Sequence, residues 1–123
     1  TVSDEDIDYV GMRIPRWSSS TNSVQTRGSF SIYDYVANNS SSMRNNRHGH
    51  MKAANDNSDK SKWFVTGLNP STNKGTNSTA INEAATTYVK GLDKCGIVLG
   101  SYVCTEQQKG AELTDAIWQL NFK

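Results

Sequence analysis

Ser78-Thr79-Ala80-Ile81-Asn82-Glu83-Ala84-Ala85-Thr86-Thr87-Tyr88-Val89-Lys90-Gly91 is the stretch on which the fold class turns. Ser78 or Thr79 offers a hydroxyl to cap a helix start. Ile81, Ala84/Ala85, Tyr88/Val89 and Leu92 then recur at the helical period, and Gly91 supplies a stop. Thr86, Thr87 and Val89 are β-branched and pull towards a strand. The spacing predicts a helix over 79–91. With that helix the chain is α+β; with a strand there it is an all-β sandwich.

Downstream, Cys95 and Cys104 bracket Gly96-Ile97-Val98-Leu99-Gly100-Ser101-Tyr102-Val103. As one strand, the segment would hold the cysteines about 30 Å apart on opposite faces. With a turn at Leu99-Gly100, they face each other at roughly 4.5–5.5 Å, which suits a disulfide. The hairpin disulfide is the expected arrangement; two buried free thiols are the alternative. At the C-terminus Leu113, Ala116/Ile117 and Leu120 form a helical stripe. Ala116, Trp118, Leu120 and Phe122 form a strand face, and this alternation predicts a strand over 115–122.

Upstream, Lys62-Trp63-Phe64-Val65-Thr66-Gly67-Leu68 is rich in strand formers and runs into turn chemistry at 69–77. Residues 37–62 are nearly without large apolar side chains, Met43 and Met51 excepted, and read as a long polar loop. Five basic residues (Arg44, Arg47, Lys52, Lys60 and Lys62) make its second half positive. Val24 to Val36 alternates with period two. Val24, Thr26, Gly28, Phe30 and Ile32 face the core, and Gln25, Arg27, Ser29, Ser31 and Tyr33 face outward. Gly28 marks a bulge. Tyr9–Ile14 is a further strand, closed by Pro15. An acidic run (Asp4, Glu5, Asp6, Asp8) precedes it.

These elements predict one domain, residues 1–123. Its fold is α+β, with an antiparallel sheet of five or six short strands carrying one helix. The absence of alternating βαβ units argues against parallel pairing. Apolar residues make up only 35% of the chain, so the core is thin and the loops long. Thirteen basic residues balance twelve acidic ones, which removes the basic excess of a general nucleic-acid binder. Two cysteines cannot form a disulfide-dense scaffold or a four-cysteine zinc module. No apolar run is long enough to insert in a membrane, and no targeting segment is expected in this stretch.

Little in the sequence carries chemistry. His48-Gly49-His50 holds both histidines. On an extended segment their rings would point the same way and could share a metal ion, but zinc sites need further ligands that no spacing here supplies. With Arg44, Arg47 and Lys52 they could instead furnish the acid, base and phosphate clamps of a small hydrolase or nuclease. No nucleophile motif and no phosphate-cradling glycine loop occurs. No catalytic set, metal or cofactor is therefore expected.

The function expected from the residues is a non-enzymatic recognition module, secreted or surface-exposed, that binds another protein or a glycan. Its binding residues would be Arg44, Arg47, His48, His50 and Lys52 on the loop, with Arg27, Tyr33 and Tyr35 as an Arg/Tyr patch on one strand face. A self-assembling coat or filament subunit is the alternative, its acidic terminus meeting the basic loop of a neighbouring copy. Nucleic acid is not favoured, because the basic loop holds no aromatic before Trp63.

Overall fold

The computed structural model describes residues 7–9, 12–102 and 105–123, with backbone alone at 7–9, 12 and 13. Two short strands, β1 (Ile7–Tyr9) and β2 (Met12–Ile14), pair antiparallel as a separate ribbon, with Ile7 opposite Ile14. The single strand expected over 9–14 is thus a hairpin. The acidic run at 4–6 lies outside the described residues.

The main sheet has four strands in chain order: β3 (Gln25–Arg27), β4 (Phe30–Tyr33), β5 (Trp63–Gly67) and β6 (Ile97–Leu99). Only β3 and β4 are antiparallel; β4/β5 and β5/β6 are parallel. The run 24–36 is therefore not one strand. It reverses at Gly28-Ser29, where Gly28 takes φ +58°, a left-handed conformation that residues with a side chain rarely adopt. Parallel pairing requires crossovers, and helices supply both. Helix α1 (Ser41–Asp56) joins β4 to β5, and α2 (Lys74–Val89) joins β5 to β6. A third helix, α3 (Gly110–Gln119), follows β6 and packs on α2.

The fold is α+β, as the 79–91 periodicity indicates, but the sheet is mixed and has four strands. The expectation of a β-rich chain is overturned: helices of 16, 16 and 10 residues outweigh strands of three to five.

Helix α1 occupies the region read as a loop. Ser40 caps it by accepting a bond from Met43 N at 3.3 Å. Its buried face is Arg47, His50, Met51 and Ala54, a correct 3.6-residue stripe in which two members are polar. Helix α2 starts five residues before the predicted cap, at Asn73, whose backbone is left-handed (φ 46°). Helix α3 replaces the predicted strand 115–122. Leu113, Ala116 and Leu120 are buried along its inner face. Trp118 and Phe122, which suggested a strand face, pack edge to face with each other at 4.8 Å and remain exposed.

Two apolar clusters result. Met51, Leu68, Ile81, Ala85, Val89, Leu92, Cys95, Leu113, Ala116 and Leu120 fill the helical side. Phe30, Ile32 and Val65, with Trp17 and Leu99, form the other. Strand β6 ends at Leu99 and pairs in parallel with β5 instead of folding back on a partner strand of its own, and Cys95 is unbonded, so the expected hairpin disulfide is overturned. Cys95 is a free, buried thiol donating weakly to Gly96 O at 3.6 Å. Burial pushes its pKa up to about 11. Cys104 lies outside the described residues. Among those residues, no helix is long and apolar enough to cross a membrane.

Candidate functional site

The βαβ repeats bring three strand ends together at the carboxyl edge of the sheet, the edge at which open α/β sheets bind ligands. Asp34 follows β4 there. Its Oδ2 accepts from Trp17 Nε1 at 2.9 Å, and its buried Oδ1 has no partner. Gly67 ends β5 beneath it. Asn69 accepts from Ser101 Oγ at 2.7 Å, and Asn82 Nδ2 donates to the carbonyls of Ser101 and Gln108, both at 3.0 Å. Sequence reading missed this group, since single Asp, Asn and Ser residues in turns carry no distinguishing spacing. Asp34 is 8% exposed, so its carboxylate is closed off rather than presented.

The accessible site lies beside it, where α1 crosses the β3–β4 edge. A cleft of about 390 Å³ is lined by Asn22, Tyr33, Asn45, Asn46 and His50, with Val24, Gly49 and Ala53 as its apolar part. Tyr33 OH donates to Asn22 Oδ1 at 2.6 Å and accepts from Asn46 Nδ2 at 3.3 Å. His50 Nε2 bonds Ser31 O at 3.0 Å. A carbonyl can only accept, so Nε2 carries the proton and Nδ1 of the neutral ring is an acceptor. Burial lowers the His50 pKa, opposed by that same bond. The imidazole is thereby kept neutral, and among the described residues no carboxylate, lysine or arginine lines the cleft.

The predicted binding residues divide. Tyr33 and His50 meet, with ring centroids 6.3 Å apart. His48, two residues away on a helix, faces elsewhere: it stacks on Tyr88 at 4.4 Å, its pKa lowered by burial and then by Arg44 and Arg47. The shared-metal geometry of an extended His-Gly-His does not arise. Among the described residues, no three His, Cys, Asp or Glu side chains converge as metal ligands. Arg44 reaches only Ser41 Oγ, at 3.3 Å. Lys52 pairs with Asp56 one turn on, an exposed bond of 2.6 Å.

Arg47 is 1% exposed and is a framework residue. Its Nη2 donates to the carbonyls of Ala37 and Asn38 at 3.3 and 3.4 Å, tying down the β4–α1 loop. Arg27 lies opposite Phe30 at the far end of β4 from Tyr33, and Tyr35 falls beyond the strand. The Arg/Tyr patch is therefore not a single surface.

No protein-family model, no curated protein and no solved structure matches this chain.

Proposed function

We propose that this chain is a non-enzymatic recognition module that binds a neutral, polyhydroxylated ligand, a glycan, in the Tyr33–His50 cleft. The observation that carries the reading is the chemistry of the lining. The carboxamides of Asn22, Asn45 and Asn46 line the cleft over the phenol of Tyr33 and the neutral imidazole of His50, which are 3% and 5% exposed and brace the asparagines from beneath, so donors and acceptors are offered without a formal charge. Sugar hydroxyls are donors and acceptors at once and match such a surface. A charged ligand would find no opposite charge among these lining residues. A few convergent polar groups beside an apolar strip is the usual anatomy of a small-ligand site.

The test is an array of immobilised neutral oligosaccharides, followed by calorimetry on the best binder. Asn46→Ala and Asn22→Ala are expected to weaken binding about tenfold each, as removal of one direct hydrogen bond does. Binding of that sugar by both variants at the affinity of the parent chain would sink the proposal, as would an array without a binder.

A further inference from the structure

At the opposite, amino-terminal end of the parallel strands a second cleft of about 370 Å³ opens between the end of α1, β5 and β6. Its character is the reverse of the first. Lys60, Lys62 and Lys94 line it together with Trp63 and Ile97. Trp63 is backed by Phe30, ring centroids 6.2 Å apart and 17° from parallel, and keeps 44% of its surface exposed. Ile97, in the same sheet face, keeps 40%. Two large, exposed apolar residues thus share the cleft with three lysines.

Among the described residues the cleft holds one acid, Asp59, whose charge acts on Lys62 and leaves three lysines against one carboxylate. Asp59 Oδ1 accepts from Ser61 N at 3.0 Å and from Ser61 Oγ at 2.6 Å. The lysine at the far wall is fixed in place. Asn55 Oδ1 accepts from the backbone N–H of Asp93 (2.8 Å) and Lys94 (3.3 Å), which pins that turn to α1. Lys94 Nζ then donates to Asn57 O at 2.6 Å and keeps two further protons to offer. Gly96 forms part of the lining: a β-carbon there would lie 2.8 Å from Phe64 O.

We propose that this cleft binds a nucleoside phosphate, with the base stacked on Trp63 and the phosphate held by Lys60, Lys62 and Lys94. A flat, exposed indole meets the π-face of any base, and such stacking is tolerant of sequence. Lysine acts as a point charge on phosphate and asks for no fixed bidentate geometry, which suits groups on a rim. The excess of basic over acidic side chains is local to this cleft, so the near-neutral chain is no obstacle. The nucleoside phosphate can be a free nucleotide or one residue of a single strand. This site shares no residue with the glycan cleft and stands or falls without it.

The experiment is fluorescence anisotropy of a fluorescein-labelled dT12 on the full chain, with AMP, adenosine and inorganic phosphate as competitors. AMP is expected to displace the label better than adenosine or phosphate alone, since only AMP uses both halves of the site. Displacement by AMP comparable, per nucleotide, to that by unlabelled dT12 identifies the free nucleotide; much tighter binding of dT12 identifies the strand. Either supports the site. Lys60→Ala and Lys62→Ala are exposed changes that keep the fold, and each is expected to weaken binding and flatten its salt dependence. Trp63→Leu is expected to lose about tenfold or more, and Trp63→Tyr to recover most of it. No binding of dT12 or AMP, competition by phosphate equal to that by AMP, or full affinity in both lysine variants would overturn the proposal. Since the lysine variants and the phosphate arm do not depend on Trp63, a Trp63 variant that fails to fold does not shelter it.

Discussion

Asp34 lies so close over Gly67 that a β-carbon on residue 67 would stand 1.9 Å from Asp34 Oδ1 and 2.7 Å from its Cγ. The carboxylate cannot simply swing away, because Trp17 Nε1 holds its other oxygen. Gly67→Ala is therefore expected to destabilise the chain by about 2–3 kcal/mol, the upper range for overpacking a rigid site. Urea unfolding measures this. Asp34→Gly in the same chain should recover much of the loss, and a double-mutant cycle showing no coupling between the two would refute the contact.

Arg47 gives a contrast between two substitutions. Its Nε and Nη1 are buried without partners, and burial lowers its pKa, so the charge is costly where it sits. Its long stem nevertheless fills the α1 seam. Arg47→Met keeps the volume and sheds the charge, and its expected cost is about 1 kcal/mol or less. Arg47→Ala leaves a cavity and frees the Ala37–Asn38 loop, with an expected cost of about 2–5 kcal/mol. Equal midpoints in urea for the two variants would show that the guanidinium bonds, not the packing, dominate.

The two histidines set a pH dependence. Both have folded pKa values below the ordinary one, chiefly through burial. The unfolded chain then binds more protons in that interval. Stability is fully present above the unfolded value, near 6.5, and is lost as pH falls from there towards the folded values. A lower melting temperature at pH 5.5 than at pH 7.5 is the expected reading. His50→Gln, which can still donate to Ser31 O, should shrink the difference.

Cys95 is expected to resist thiol reagents in the folded chain, being 3% exposed with its thiolate disfavoured by burial. In a Cys104→Ser background, labelling by a disulfide reagent should follow global unfolding, rising with denaturant along the same curve as circular dichroism. Reductant should leave the melting temperature of the parent chain unchanged. A drop of several degrees on reduction would restore a structural disulfide.

Part of this fold is legible in the sequence, and the illegible part has a specific origin. Strand β5 announces itself by its run of strand formers, and the body of α2 because Ile81, Ala85 and Val89 recur among its buried residues at the helical period, beside the polar Ser78, Asn82 and Thr86. Helix α1 does not, since Arg47 and His50 take seam positions that pattern reading reserves for apolar side chains. Losing α1 removes the crossover between β4 and β5, and the parallel sheet becomes invisible with it. The C-terminal segment supports two periods at once; tertiary burial of Leu113, Ala116 and Leu120 decides for the helix. Within the glycan cleft, Tyr33 and His50 stand out by residue type. Asn22, Asn45 and Asn46 do not, because they are three of twelve asparagines spread along the chain. Trp63 is 44% exposed, and that is visible only once its place at the start of β5 is known.

The strands of the main sheet lie side by side in the order in which they occur along the chain. During synthesis each new strand therefore finds its neighbour already made, and none has to be threaded between two others. The sheet can grow by one strand and one covering helix at a time, in the direction of translation, each parallel pair closing over a single crossover of 29 residues. An architecture whose parallel pairing would ordinarily make it slow to assemble is thus laid out so that assembly can follow the ribosome.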